Sequence, residues 1–283
     1  VAAAPAHAQL SLSSLLSPAS KTKYPIVLVH GFIGFDNVLG IQYFFSDKIV
    51  LASSRAKIVT PGQAPRLHAI VDRLCAETGL PKPEVAIVPT DVPNAFATGR
   101  SQNHAVIAAT QGLLNRLNED EIVAVLAHEL SHVRNRDVAV MTIASFISTV
   151  AYYFIMSFAF GGFRSRDQRD SGGLIIVYIL SLVVYGISLL LTRLLSRYRE
   201  LAADRGSAYI TRRPSWLISA LLKISGQMER MPKNDLRSEE GLNQFFIVPA
   251  LSGRSILELF ATHPSMDTRI RQLEQLERTM GEQ

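Results

Sequence analysis

Two long stretches without Asp, Glu, Lys, Arg or His constrain what this chain can fold into. Residues 138–163 form the first stretch, and residues 172–192, rich in Leu, Ile and Val, form the second. Each is longer than the roughly 20 apolar residues that a helix needs to cross a bilayer. The segment between them, residues 164–170, is too charged to be buried. The pattern predicts a transmembrane helical hairpin, with a large buried helical hairpin as the alternative.

A hairpin would bring the chain back to the side of the membrane on which it started. Arginines are concentrated on that side, at Arg134, Arg136, Arg193, Arg197, Arg199 and Arg205, against Arg164, Arg166 and Arg169 in the short loop. Because Lys and Arg are in excess in cytoplasmic segments close to membrane spans, the two flanking segments are expected to face the cytoplasm.

The composition agrees with a membrane-associated globular enzyme. The chain has 283 residues, a hydrophobic fraction of 48% and a net charge of +5. Much of the positive charge lies beside the predicted spans, so the anionic headgroups of a lipid bilayer explain it more simply than nucleic acid does. Cys75 is the only cysteine, which excludes an intrachain disulfide and a zinc cluster of several thiolates and fits a reducing compartment.

The strongest chemical motif is His128-Glu129-Leu130-Ser131-His132. Asn118 offers a helix cap, residues 119–121 are acidic, and residues 122–127 are apolar, which predicts a buried helix leading into the motif. Histidines four apart share one helical face, so both can bind one zinc ion while Glu129 reaches a bound water. The motif predicts a zinc peptidase; a core helix that carries two histidines by chance is the alternative.

A catalytic zinc ion usually has three protein ligands. A third histidine directly after the motif is excluded, because Asn135 and Val138 stand where a glycine and a histidine would be needed. Glu200 is the preferred third ligand and His263 is its rival. Glu200 and Asp204 share a helical face, so Asp204 could accept the free N–H of a ligand histidine. A solvated acidic pair beside neighbouring arginines is the alternative.

The chemistry expected of such a site follows from the residue types. Zinc polarises the scissile carbonyl and lowers the pKa of its bound water, and Glu129 takes the proton from that water as the general base. His263 is the expected second donor to the oxyanion, ahead of Arg269. The alternative role of His263 is that of a helix-entry residue before Pro264.

The segment before the motif has α/β character. Residues 63–78 fit an amphipathic helix, residues 85–88 a short strand, and residues 94–99 with 104–109 a β-hairpin. A strand at a sheet edge beside the motif could pair with an extended peptide, or it could be plain scaffold. Residues 267–278 form a charged helix near the end. The expected fold class is mainly α (α+β): a gluzincin-like zinc peptidase domain with a small sheet and an inserted transmembrane helical hairpin.

From about Phe45 to its end, the chain resembles the HtpX-type membrane zinc peptidases, kin of the prenyl-protein CAAX endopeptidases. The matching residues are Ser46-Asp47-Lys48, Pro93 to Gly99, Ala127 to His132, Arg199-Glu200 with Ala203-Asp204, and His263-Pro264.

This resemblance implies an endopeptidase of misfolded or damaged membrane proteins, multi-pass in the bacterial inner membrane, with its site in the cytoplasm. It implies Zn²⁺ as the cofactor, His128, His132 and Glu200 as ligands, and Glu129 as base. The segment from Asn94 to Gly99, with Asn94, Ala95 and Phe96 foremost, is expected to bind the substrate backbone. The resemblance does not indicate an oligomeric state.

The first 44 residues depart from that family. Val1 to Ala8 resembles the end of a secretory signal peptide. Lys23 to Asp36 resembles the first strand and oxyanion loop of bacterial triacylglycerol lipases, with His30, Gly31 and Phe32 in the loop. A lipase also needs a G-x-S-x-G nucleophile elbow, and the chain has none. A lipase or esterase is therefore the disfavoured alternative function.

The predicted organisation has four segments. These are the signal-like and lipase-like residues 1–44, the first part of the peptidase domain at 45–137, the transmembrane hairpin at 138–195, and the second part of the peptidase domain at 196–283.

Overall fold

Helices make up most of this fold, and a small mixed sheet packs against one of them. The computed structural model describes residues 47–160, 171–230 and 264–281. Residues 47–53 are helical. The elements that follow are β1 (Lys57–Ile58), α1 (Pro65–Thr78), β2 (Glu84–Val88), β3 (Ala95–Gly99), β4 (Ala105–Thr110), α2 (Gln111–Arg116), α3 (Glu119–Arg134), α4 (Asp137–Phe160), α5 (Ser171–Thr211), α6 (Pro214–Arg230) and α7 (Met266–Gly281).

The four strands lie in the order β1-β2-β4-β3. β2 and β4 are parallel, while β1 and β3 pair antiparallel with their neighbours at the two edges. The β3–β4 pairing runs from Ala95 opposite Ala109 to Gly99 opposite Ala105, which confirms the predicted hairpin. Gly99 has a φ of 129°, and a Cβ there would lie 2.0 Å from the carbonyl oxygen of His104, so only glycine fits at this turn.

Helix α1 forms where the amphipathic pattern predicts it. It begins at Pro65, whose missing N–H costs nothing in the first turn, and ends before Gly79 in the left-handed conformation with a φ of 66°. Its apolar face, with Leu67, Ile70, Val71 and Leu74, is buried. This face belongs to the same apolar core as α3, so the helix supports the motif-bearing element from one side.

Helix α3 carries the motif and lies in the centre of the core. Its first turn is closed by a capping box between Asn118 and Glu121. Residues 121–131 are all buried, because α1, α5, α6 and the sheet all contact this helix. A helix surrounded in this way holds side chains in fixed positions, as a metal site requires.

The two apolar stretches form long helices that pack along each other, α4 with 24 residues and α5 with 41. Their buried residues are mostly small, which permits close packing: Ser148, Ala151, Ser181 and Ser188. Their large apolar side chains point outwards, with Ile143 71% and Ile176 67% exposed. Both helices are long and apolar enough to cross a membrane, by length and composition. The charged loop at 164–170 lies outside the described residues.

Helix α5 is too long to be a membrane span alone. At about 1.5 Å per residue it extends about 60 Å, twice the roughly 30 Å of a bilayer's hydrocarbon core. Its second half carries Glu200 and Asp204 and packs against α3. The boundary expected at residue 195 therefore lies inside one continuous helix, which joins the apolar hairpin directly to the segment that carries Glu200.

Candidate metal centre

Three side chains from two helices converge at the motif. His128 and His132 come from α3, Glu200 comes from α5, and their ligand atoms all lie within 4.8 Å of one another. The two Nε2 atoms are 3.1 Å apart. Glu200 places one carboxylate oxygen 3.8 Å from Nε2 of His128 and the other 3.7 Å from Nε2 of His132.

The donor set fits a zinc ion. Two imidazole nitrogens and one carboxylate oxygen are the ligands of one common type of catalytic zinc site. Ligand atoms about 2.0–2.1 Å from a tetrahedral metal lie roughly 3.4 Å from each other. The two Nε2 atoms are 3.1 Å apart, and each lies 3.7 or 3.8 Å from a different oxygen of the Glu200 carboxylate. His263, the rival ligand, lies outside the described residues.

Asp204 contacts the outer nitrogen of His128. Its Oδ1 lies 3.0 Å from His128 Nδ1, within hydrogen-bond distance, although the angle is not that of a well-formed hydrogen bond. The Asp204 carboxylate also accepts two hydrogen bonds from Arg269, of 2.8 and 2.6 Å. Arg269 is 1% exposed, and these hydrogen bonds hold its guanidinium against Asp204. Its second-choice role as an oxyanion donor stays a prediction.

Asp137 occupies the corresponding place beside His132. Its Oδ2 lies 2.5 Å from His132 Nδ1 and 3.0 Å from Nε of Arg199. Neither residue was predicted from the sequence as part of the site. The sequence contained one signal for Asp137. It follows His132 by five residues and is the last charged residue before an apolar stretch, where an acidic side chain is unfavourable unless it has a partner.

Glu129 points towards the sheet rather than into solvent. It is 5% exposed, and its Oε2 accepts a hydrogen bond of 2.9 Å from the backbone N–H of Ala97 in β3. Burial raises the pKa of Glu129 to about 7; the Glu200 carboxylate adds to the rise, while His132 and the Ala97 N–H oppose it. With only protein groups around it, the Glu129 carboxyl therefore titrates near neutral pH.

The two histidines respond differently to burial. Burial lowers the pKa of His128, and the contact with Asp204 only partly opposes it. Burial also acts to lower the pKa of His132, but the hydrogen bond with Asp137 and the carboxylates of Glu200 and Glu129 raise it above its ordinary value. A metal ion binds the neutral imidazole, so zinc and protons compete more strongly at His132.

The predicted substrate segment lies at the start of β3. Asn94, Ala95 and Phe96 are buried, at 3%, 0% and 3% exposure, so their side chains face the protein. The N–H of Ala97 leaves the sheet towards Glu129, and β3 is an edge strand. The strand is therefore brought beside the motif helix as predicted. The lipase-like loop residues His30, Gly31 and Phe32 lie outside the described residues.

Comparison with known proteins decides the family. A family model described as Peptidase family M48 matches residues 61–277, which include the motif, Glu200 and Asp204. The chain belongs to peptidase family M48. The M48 chain is 56% identical over 244 residues to "Protease HtpX homolog 2" of Methanosarcina acetivorans, covering 86% of this chain and 83% of that protein. It is also 56% identical over 250 residues to "Protease HtpX homolog" of Moorella thermoacetica, covering 87% and 83%.

A solved structure shares the fold of the M48 chain. The crystal structure of S. mikatae Ste24p superposes with a TM-score of 0.53 at 19% sequence identity. The match covers 88% of this chain and 61% of Ste24p, so the likeness concerns the fold alone.

These matches confirm the predicted enzyme class, a membrane metallopeptidase of the HtpX type. Membership of M48 implies a metal ion, and the cluster of His128, His132 and Glu200 offers a place for one. The comparisons give no support to the lipase-like segment or to a lipase function.

Proposed function

We propose that this M48 chain is a membrane-bound zinc endopeptidase in which His128, His132 and Glu200 bind the ion. One observation carries the proposal: three ligand atoms of the zinc type converge within 4.8 Å beside a buried glutamate of the same motif. When bound there, zinc would acidify a water molecule and polarise the scissile carbonyl.

Glu129 is the proposed general base. Its carboxylate is buried and fixed by the N–H of Ala97, and its pKa of about 7 suits proton transfer near neutral pH. It takes the proton from the attacking water and passes it to the leaving amine. His263 is the proposed second donor to the oxyanion.

Asp204 and Asp137 are proposed to fix the tautomers of the two ligand histidines. Each carboxylate faces the Nδ1 atom of one ring, so each ring would carry its proton there and leave Nε2 with a lone pair. Both Nε2 atoms point to the shared cluster with Glu200.

The edge of β3 is the proposed substrate site. An extended polypeptide could add to the sheet along this edge, with Asn94, Ala95 and Phe96 shaping the backbone path. Their own side chains are buried, so main-chain contacts would dominate there, and sequence preference would come from other parts of the site. Such a site suits misfolded or membrane polypeptides of varied sequence.

The proposed organisation keeps the predicted boundaries. Residues 45–137 and 196–283 form the peptidase domain, residues 138–195 form a hairpin in a bacterial inner membrane, and residues 1–44 form a separate segment. The exposed apolar faces of α4 and α5 support membrane insertion, and the arginines beside the site support a cytoplasmic orientation.

The test compares wild-type protein in detergent with Glu129→Gln. The amide keeps the shape of the side chain but cannot act as a base, so casein cleavage should fall by about 100-fold or more, while bound zinc stays near one ion per chain. Glu119→Gln makes the same change at an exposed site of the same helix and should leave both readouts at wild-type levels. Wild-type protein that holds no zinc and cleaves no casein would overturn the proposal.

A further inference from the structure

Asp137 connects the candidate metal site to both apolar helices. It is the first residue of α4, and it is 4% exposed. One of its oxygens, Oδ2, contacts His132 of α3 at 2.5 Å and Arg199 of α5 at 3.0 Å. A single carboxylate oxygen therefore joins three helices at the base of the α4–α5 pair.

We propose that Arg199, acting through Asp137, is a positioning residue that orients His132 for the metal ion and ties the base of the α4–α5 pair to the site. This inference rests on the zinc site proposed above and concerns residues that the metal itself does not touch.

The orientation of His132 depends on what holds its outer nitrogen. Nε2 faces His128 and Glu200, so the ring has the correct direction only while Nδ1 stays on Asp137. Both His132 and Arg199 contact the same oxygen of Asp137, Oδ2. The Arg199 contact is an ion pair without the angle of a well-formed hydrogen bond, and its attraction keeps Oδ2 in place at the buried site. Arg199 therefore restricts Asp137, and Asp137 restricts the imidazole.

His128 has an equivalent arrangement on the other side of the site. There Asp204 lies between the imidazole and Arg269, and both charged residues are buried, at 0% and 1% exposure. The side chain of Arg199 is 19% exposed. The His132 side is thus the less enclosed half, and it is the half to which α4 contributes Asp137 and α5 contributes Arg199. A change in the packing of α4 against α5 would therefore affect the metal site first at His132.

The experiment measures zinc retention in the full-length protein in detergent. Zinc is loaded, EDTA is added, and the rate of zinc loss is followed for wild type, Arg199→Gln, Arg199→Lys and Arg205→Gln. Loss of a direct partner of a ligand histidine typically weakens metal binding by about 10- to 100-fold. Arg199 acts one step further out, so Arg199→Gln should release zinc faster by about 10-fold, the lower end of that range. Arg199→Lys keeps the charge but not the planar guanidinium, so its rate should lie in between. Arg205→Gln, at an exposed arginine of the same helix, should match wild type.

Cobalt provides a readout that mere loss of stability would not change. With Co²⁺ in place of zinc, the visible absorption bands report the ligand field at His132. Arg199→Gln should shift these bands, and Arg205→Gln should reproduce the wild-type spectrum. Wild-type zinc retention together with a wild-type cobalt spectrum in Arg199→Gln would overturn the inference.

Two further outcomes are informative. If Arg199→Gln does not fold, Asp137→Asn replaces it, and the double variant Asp137→Asn/Arg199→Lys should lose zinc no faster than Asp137→Asn alone, because Arg199 acts only through Asp137. A faster rate in the double variant would contradict the inference. Failure of wild-type protein to bind zinc would instead remove the proposed function, so the two failures are distinguishable.

Discussion

Two buried glutamates on the same helix show how hydrogen-bond partners determine the protonation state of a carboxyl group. Glu121 and Glu129 lie two turns apart on α3, at 2% and 5% exposure. Glu129 has one backbone donor, and burial raises its pKa to about 7. Glu121 accepts from Asn118, Ser219 and Lys223, and although burial acts to raise its pKa, these donors bring it below the ordinary value of 4.5. Glu129 is therefore suited to transfer a proton, whereas Glu121 is an ionised residue with a structural role.

The lowered pKa of Glu121 predicts that the free energy of unfolding depends on pH. Because the pKa of Glu121 is lowered on folding, its stabilisation is complete above pH 4.5 and is lost as the pH falls through the lower folded value. Glu121→Gln should destabilise the protein by about 1–3 kcal/mol at pH 7. This difference from wild type should shrink towards pH 3, as followed by thermal unfolding in detergent.

Glu119→Gln is the matched control for this measurement. Its side chain is 55% exposed, so this variant should lose stability in parallel with wild type across the same pH range. A gap between wild type and Glu121→Gln that stays constant from pH 7 to pH 3 would show that Glu121 is not held ionised by its partners.

At the scale of elements, the site depends on how closely α5 approaches α3. Gly206 lies six residues beyond Glu200 on α5, against Ser131 of the motif. A Cβ at residue 206 would lie 2.2 Å from Oγ and 2.7 Å from Cβ of Ser131. Only glycine permits this contact, and we expect the close approach to keep Glu200 within reach of the two histidines.

Gly206→Ala is therefore expected to separate the two helices. Overpacking of this kind costs about 1–3 kcal/mol, and zinc affinity should fall with it because Glu200 moves away from His128 and His132. Unfolding temperature and zinc retention are the measurements. The double variant Gly206→Ala/Ser131→Gly removes the clash and should recover much of both.

Gly226→Ala in α6 is the control, because a Cβ there meets nothing within 4 Å. Alanine favours a helix over glycine, so this variant should be neutral or slightly stabilised. If Gly206→Ala behaved like Gly226→Ala in both measurements, close approach at residue 206 would not be what holds the site together.

At the scale of the whole molecule, one helix connects the membrane-facing part with the metal site. The exposed apolar side chains of α5 lie mainly in its first half, and the candidate ligand Glu200 lies in its second half. Arg134 and Arg136 at the end of α3 and Arg193 and Arg197 on α5 stand near the point where the apolar stretches end. This charge distribution predicts which side of the membrane the site faces.

The predicted topology can be tested with single cysteines. Cys75 is the only native cysteine and is buried, so Cys75→Ala provides a background for labelling. In intact spheroplasts, an impermeant maleimide should not label Arg205→Cys until the membrane is opened, because residue 205 is exposed on the cytoplasmic side of the proposed arrangement.

Gln168→Cys, in the charged segment that the sequence predicts to connect the two stretches, should be labelled without opening the membrane. Labelling of residue 205 and protection of residue 168 in closed spheroplasts would reverse the proposed orientation. Equal labelling of both positions in closed spheroplasts would contradict the membrane hairpin itself.

The sequence by itself determined what lies within single elements. Helical periodicity places His128 and His132 on one face, the capping pattern of Asn118 and Glu121 begins α3, and two short apolar runs on either side of a glycine-containing turn predict the β3–β4 hairpin. These features depend on neighbours a few residues apart, so local geometry is enough to predict them. The preference for Glu200 rested on the chemistry of the motif and on its spacing from Asp204, and the resemblance implied the same ligand.

The tertiary structure decided which faces of these elements meet. Asp137 with Arg199, Asp204 with Arg269, and Gly206 against Ser131 are contacts between separate helices, and no periodicity within one helix specifies its partner. The continuity of α5 through residue 195 likewise depends on packing against both α4 and α3. The candidate metal-binding motif lies within five consecutive residues, so the sequence alone predicts it. The charged residues and the close contact of Gly206 with Ser131 that support it come together only in the folded protein.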